Sequence, residues 1–278
     1  MKTNCRIFSF GILAFGVVLT SCESEPQTKT YDYEKADSLA VDYERELRTI
    51  RKDIKDAGNL YLVMHEIGVP FQSDLVGSAS KYQGATGRKK QALSLGAAGA
   101  DLNYLTMFEQ ADQTPAYVKA ILSLADQLGI SSAFDEDLMT KITEVGDTTL
   151  TFQKKSSLLN DAYRQAEDNL YSEERAQITC QIVAGGWLQS MHIAANIGAN
   201  IESQREVDTE VWNMIFGAEK VLKMLDVFEN DPDCKAVAED IRSLDPILTK
   251  LSQERIQNVH QHFAALAEAT GAVRSKWY

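Results

Sequence analysis

Histidine is scarce in this chain, with four in 278 residues, and the four are scattered. No HExxH and no Glu-x-x-His pair occurs, so zincin and ferritin-like di-iron chemistry have no support. His260 and His262 stand two apart and would face different directions on a helix. His192 beside Met191 leaves a metal- or haem-binding reading open. No GxSxG, Walker loop or GxGxxG is found. Gly84–Lys90 offers glycine and base without the Walker spacing or a preceding strand, and reads as a loop leading into a helix. The residues therefore imply no catalytic centre, no metal and no cofactor. Basic residues are also in deficit, 28 Lys and Arg against 40 Asp and Glu. An acidic chain is repelled by nucleic acid, which excludes that partner. Four cysteines without a CxxC do not make a disulfide framework.

One long apolar run stands at the N-terminus. Lys2 and Arg6 form a basic n-region, and Ile7 to Leu19 is an apolar stretch too short for a spanning helix. It ends in Leu19-Thr20-Ser21-Cys22, which resembles the lipobox of bacterial lipoproteins. The resemblance implies a signal peptide over 1–21, cleavage before Cys22 and lipidation of its thiol. Lipid chains turn a soluble domain into an anchored one. Residues 22–31 are polar and read as a tether. Acidic residues just after the cysteine resemble the export signal of Bacteroidota surface lipoproteins. The expected location is thus the outer membrane, on its periplasmic face or at the cell surface. Without residues 1–21, 26 Lys and Arg face 40 Asp and Glu, a formal charge of −14. Cys5 leaves with the signal and Cys22 takes lipid. Cys180 and Cys234 remain in a compartment where a disulfide could persist, although Cys180 lies in an apolar stretch and reads as a small buried hydrophobe.

From 32 to 278 the periodicity is helical and no alternating strand appears, so one all-α domain is expected. Leu39, Tyr43, Leu47, Ile50, Ile54 and Ala57 form an amphipathic stripe, which Gly58-Asn59 should interrupt before a short helix over 60–67. The glycines, serines and proline of 68–87 predict a loop with at most one short helix. Beyond it the pattern predicts helices over 88–110, 115–128, 134–145, 148–170, 173–203, 209–229, 232–243 and 246–270. Thr114, Asp231 and Asp245 precede prolines and are expected caps, as are Asp147, Ser172 and Asp208. Residues 88–110 align on 174–196 without gaps, matching Gln91, Ala98, Gly99 and Leu102 to Gln177, Ala184, Gly185 and Leu188. That echo is consistent with a duplicated three-helix unit.

Ala176 to Ile201 contains no Asp, Glu, Lys or Arg, and Gln91 to Phe108 contains only Asp101. Surface helices of that length carry charges, so these two are expected at the centre of a bundle. The first has a polar stripe of Gln181, Gln189, His192, Asn196, Asn200 and Ser203. Polar groups there must be satisfied by a neighbouring helix, water or a ligand. Gly96, Gly99 and several alanines in the second allow close backbone approach. Asp101 lies toward the apolar side and needs a partner: His192, Lys89, Lys90 or a helix N-terminus. Two readings follow. The stripe either fixes helix register, or it lines a ligand groove with Asp101, Asn103, Tyr104, Gln189, His192, Asn196 and Asn200. Such a groove would suit a polar, weakly charged molecule better than a phosphate.

Lys90–Tyr104 (KQALSLGAAGADLNY), with Leu128–Phe134 (LGISSAF) downstream, resembles an uncharacterised family of all-helical Bacteroidota lipoproteins. The resemblance implies a compartment and a fold, and no activity. The expectation is a lipid-anchored envelope protein that acts by binding, as an accessory or interaction subunit with the membrane and an envelope protein as partners. The alternative is a small-ligand receptor or enzyme using the groove.

Overall fold

The computed structural model describes residues 44–52, 57–134, 136–143, 151–172 and 175–278. The expected signal peptide, Cys22, the expected tether, Leu39, Tyr43, Ile54 and Asp147 lie outside the described residues. Among the described residues the fold is all-α, a multi-helix bundle without strands. Its helices are α1 (44–52), α2 (Gly58–Glu66), α3 (Ala79–Gln83), α4 (Arg88–Met107), α5 (Thr114–Leu128), α6 (Glu136–Thr143) and α7 (Phe152–Ser172). They continue as α8 (Ala176–Asn200), α9 (Arg205–Ile215), α10 (Gly217–Asp226), α11 (Pro232–Arg242), α12 (Asp245–Gln253), α13 (Ile256–Val259) and α14 (Phe263–Trp277). Among the described residues no helix is long and apolar enough to cross a membrane.

The two uncharged segments, α4 and α8, are the central pair. Residues 92–107 are buried except Ala100 and Thr106, and residues 178–198 except Gly186 and Asn196. Their backbones touch. A Cβ on Gly96 would fall well under 3.0 Å from the Ile182 carbonyl, and one on Gly185 would do the same to the Leu93 carbonyl. Only glycine permits that approach. One apolar cluster surrounds α8, drawing on α2 and α9–α14, and a second packs the other side of α4 against α5–α7. The aligned glycines of the internal echo do different work. Gly185 faces the backbone of α4, whereas Gly99 faces the Tyr163 ring of α7.

Charge positions the outermost element. Leu47 of α1 is fully buried, while Arg48 pairs with Asp168, Arg51 with Glu167 at 3.0 Å, and Arg48 covers the Tyr171 ring at 4.7 Å.

Several predicted boundaries differ from the structure. Gly58 opens α2 rather than standing before it. Asp231 caps α11 as expected, accepting from the amides of Asp233 and Cys234. Thr114 and Asp245 instead lie inside their helices, and Ser172 ends α7. Asp208 lies within α9, buried, accepting from Ser203 Oγ at 2.6 Å. The expected helix 209–229 is broken at Phe216. Trp187 donates its indole N–H to the Met214 carbonyl at 3.1 Å, and Gly217 leaves room for the ring. The expected helix 246–270 is likewise three elements with a 3-10 turn at His260–His262. Cys180 and Cys234 are buried free thiols. Burial pushes Cys234 up to about 12 and Cys180 well above the ordinary range.

Candidate functional site

The loop before α3 supplies backbone groups to a buried polar centre. Its residue Gly77 must be glycine, because a Cβ there would collide with the Tyr82 hydroxyl. Ser78 caps α3 with its hydroxyl, which turns the chain so that Tyr82 points inward. Asp101, on α4, is fully buried at 0 % exposure. Its Oδ2 accepts from the Gly77 amide at 2.8 Å and from the Tyr82 hydroxyl at 2.9 Å. Its Oδ1 accepts from Gln189 Nε2 at 2.6 Å. Tyr117 of α5 donates to the Gly77 carbonyl from the other side.

Gln189 carries the centre across to α14. Its Nε2 also donates to the Leu75 carbonyl at 3.0 Å, and its Oε1 accepts from Arg274 Nε at 2.7 Å. Arg274 Nη2 donates to the same Leu75 carbonyl at 3.2 Å. These bonds fix the amide orientation of Gln189, since each of its atoms has a complementary partner. Burial pushes Asp101 up from 3.8 to about 7, against the pull of the Gly77 amide, the Tyr82 hydroxyl, the Arg274 charge and Gln189. Burial and the Asp101 charge push Tyr82 well above the usual phenol range.

Above this centre lies a cleft of about 250 Å³, lined by Val76, Gly77, Ser78, Lys81, Arg274, Ser275 and Tyr278. Among the described residues, neither Arg274 nor Lys81 forms an ion pair with a carboxylate. The Tyr278 ring stacks edge-on against Tyr82 at 5.2 Å, and its hydroxyl reaches the Gly185 carbonyl at 3.3 Å. The floor of the cleft is thus tied to the α4–α8 crossing.

Of the seven groove residues expected from sequence, the structure joins Asp101 and Gln189 directly. His192 lies one turn along α8, facing α14. Its Nδ1 is 3.3 Å from Thr270 Oγ1, and its ring packs on Gly271. Burial and the Arg274 charge lower it from 6.5 to about 4, so the ring is neutral near pH 7. Asp101 takes its partners from Gly77, Tyr82 and Gln189, not from His192, Lys89 or Lys90. Lys89 pairs with Asp233 at 3.4 Å. Asn196 turns back on its own helix, donating to the His192 carbonyl at 2.8 Å. Asn200 is exposed and donates to the Asn196 carbonyl at 2.8 Å. Tyr104 accepts from the Gln72 amide at 3.1 Å, with its ring among Tyr61, Phe71 and Phe108. Asn103 is buried on α4. The cleft is lined by none of the seven.

Gly77, Lys81, Tyr82, Arg274 and Tyr278 carry no local motif. The signal for one of them was the buried carboxylate itself, which demands donors and a compensating cation. Among the described residues no group of three His, Cys, Asp or Glu side chains could hold a metal ion. No protein family model, curated protein or solved structure matches this chain.

Proposed function

We propose that this chain is a lipid-anchored envelope protein that acts by binding, with the cleft between the 75–81 segment and α14 as its site for a small polar ligand. One observation carries the reading. Arg274 is held in place by Gln189 and Leu75, lacks a carboxylate partner among the described residues, and forms a wall of a concave site. Convergent polar groups in a concavity are the usual form of a ligand site. Surface exposure favours this over docking through an apolar face. The large hydrophobic side chains exposed among the described residues are Ile67, just after α2, and Phe216, between α9 and α10, which is too little for an interaction patch. The cleft wall offers cations and hydroxyls, while the Asp101 carboxyl lies buried behind Gly77. Those groups suit binding rather than catalysis. The Leu19–Cys22 box supports the anchor, with the membrane as partner.

Thermal shift tests the site. A panel of sugars, amino acids, carboxylates and inorganic anions is screened against wild type and Arg274→Gln. A ligand at 100 times its Kd adds about 2.7 kcal/mol. For a domain this size that raises Tm by roughly 5–10 °C, and the variant should lose the gain. A panel with no Arg274-dependent ligand overturns the reading. Cys22→Ala should abolish fatty-acid labelling and release the protein from membranes; retained labelling refutes the anchor.

A further inference from the structure

The cleft and the buried carboxyl share one wall. Gly77 lines the cleft with one side and donates its amide to Asp101 with the other. Arg274 lines the cleft and reaches Asp101 through Gln189, over contacts of 2.7 Å and 2.6 Å. Resting on the binding reading above, we propose that the ligand is a small oxyanion bound between Lys81 and Arg274, and that its binding is coupled to proton uptake by Asp101.

The ligand class follows from the donors. Arg274 presents a planar guanidinium already fixed on one edge and Lys81 adds a second cation, while the Ser78 hydroxyl bonds Ser80 and the Ser275 hydroxyl donates to the Gly271 carbonyl, so the two cations carry the choice of ligand. The weakly charged ligand expected from the amide stripe does not match this wall. About 250 Å³ lies below the range of drug-sized pockets, so the anion is small.

The coupling follows from electrostatics. The Arg274 charge is one of the forces that hold Asp101 ionised. An anion on the outer face of Arg274 offsets that charge, so Asp101 binds a proton more readily. The proton has a place to go. On Oδ2 it can donate to the Tyr82 oxygen, because a phenol hydroxyl accepts as well as donates. The other titratable groups facing the centre are silent near neutrality. Tyr82, Tyr117 and Tyr278 are all raised by burial, and His192 is held neutral. Asp74 is exposed on the same loop, and its charge reaches His192 and Tyr104. By linkage, a proton taken up with the anion makes anion affinity rise as pH falls.

Sulfate and acetate are the probes, because neither changes charge appreciably between pH 6 and 8. Each is titrated calorimetrically into the full chain at constant ionic strength, in buffers of different ionisation enthalpy. If the anion raises Asp101 by one pH unit, affinity should be about fivefold weaker at pH 8 than at pH 6. Fractional proton uptake, largest between pH 7 and 8 at about half a proton, is expected. Arg274→Gln should abolish binding, and Asp101→Asn should bind with no proton uptake. Binding without uptake, or an unchanged pH profile in Asp101→Asn, overturns the coupling while leaving the cleft reading intact. No sulfate or acetate binding, with an Arg274-dependent neutral ligand found in the panel, overturns the ligand class alone. Should Asp101→Asn fail to fold, the Asp101 carboxyl is titrated by carbon NMR in the wild type. A midpoint near neutrality that rises with sulfate supports the coupling, and a midpoint that does not move overturns it.

Discussion

Asp101→Asn should reverse the order of stability between variant and wild type across the pH range. In the folded protein Asp101 titrates at about 7, against 3.8 for an unburied carboxyl. The folded state therefore holds its proton over a range where the unfolded chain has lost it. That contribution is fully present below pH 3.8 and is lost as pH rises through about 7. Three pH units at 1.36 kcal/mol each make the loss about 4 kcal/mol. Asparagine removes the titration but adds a fixed penalty. In either orientation its NH2 group meets a donor, the Gly77 amide or Gln189 Nε2, and Gln189 cannot turn over without breaking its bonds to Leu75 and Arg274. A buried unsatisfied group of that kind costs about 1–3 kcal/mol. The wild type should thus be the more stable protein near pH 4 and the variant the more stable near pH 8. Urea denaturation at half-unit steps of pH measures this, with all other ionisable groups cancelling in the difference. A difference constant across the range would refute the placement of an ionisable, desolvated carboxyl at this centre.

His192 works in the opposite direction. Its lowering from 6.5 to about 4 means that stability is lost as pH falls through that window, by about 3 kcal/mol, so in wild type it offsets Asp101 there and Asp101→Asn should unmask an acid-sensitive profile in the same urea series. Gly96→Ala places a Cβ against the Ile182 carbonyl and the Gly186 amide, and should destabilise by at least about 1–3 kcal/mol, read as a lower urea midpoint. Asn196→Ala removes a side chain bonded mainly to its own helix, and should change stability by less than about 1 kcal/mol without altering sulfate affinity. A larger loss, or weaker binding, would show that Asn196 serves the site. Cys180 and Cys234 should react with a thiol reagent at the rate of unfolding, as mapped by mass spectrometry, and fast labelling would refute their burial.

The helical class, the helix order and the centrality of two segments were legible because they are local or compositional properties. Period-3.6 stripes mark amphipathic helices, and a run such as Ala176–Ile201 without charge can be stable only where little water reaches it. Asp231 before Pro232 marks a helix start from its own side chain. The break at Phe216 was not legible, since its cause is Trp187 on another helix taking the Met214 carbonyl. The polar stripe of α8 was visible as a stripe, but its division was not. Gln189 reaches a carboxylate and an arginine, His192 packs on α14, and Asn196 and Asn200 bond within α8. The cleft was wholly a tertiary outcome. Gly77 and Tyr82, Asp101, Gln189, and Arg274 come from four separate stretches of chain, and only their meeting builds the cleft wall and the polar centre behind it. Asp101 announced that donors had to exist, because a carboxylate leaves water only with compensation. Which donors met it was decided by how closely Gly96 and Gly185 let two helices approach, and by where that contact set the loop before α3 and the last turns of α14.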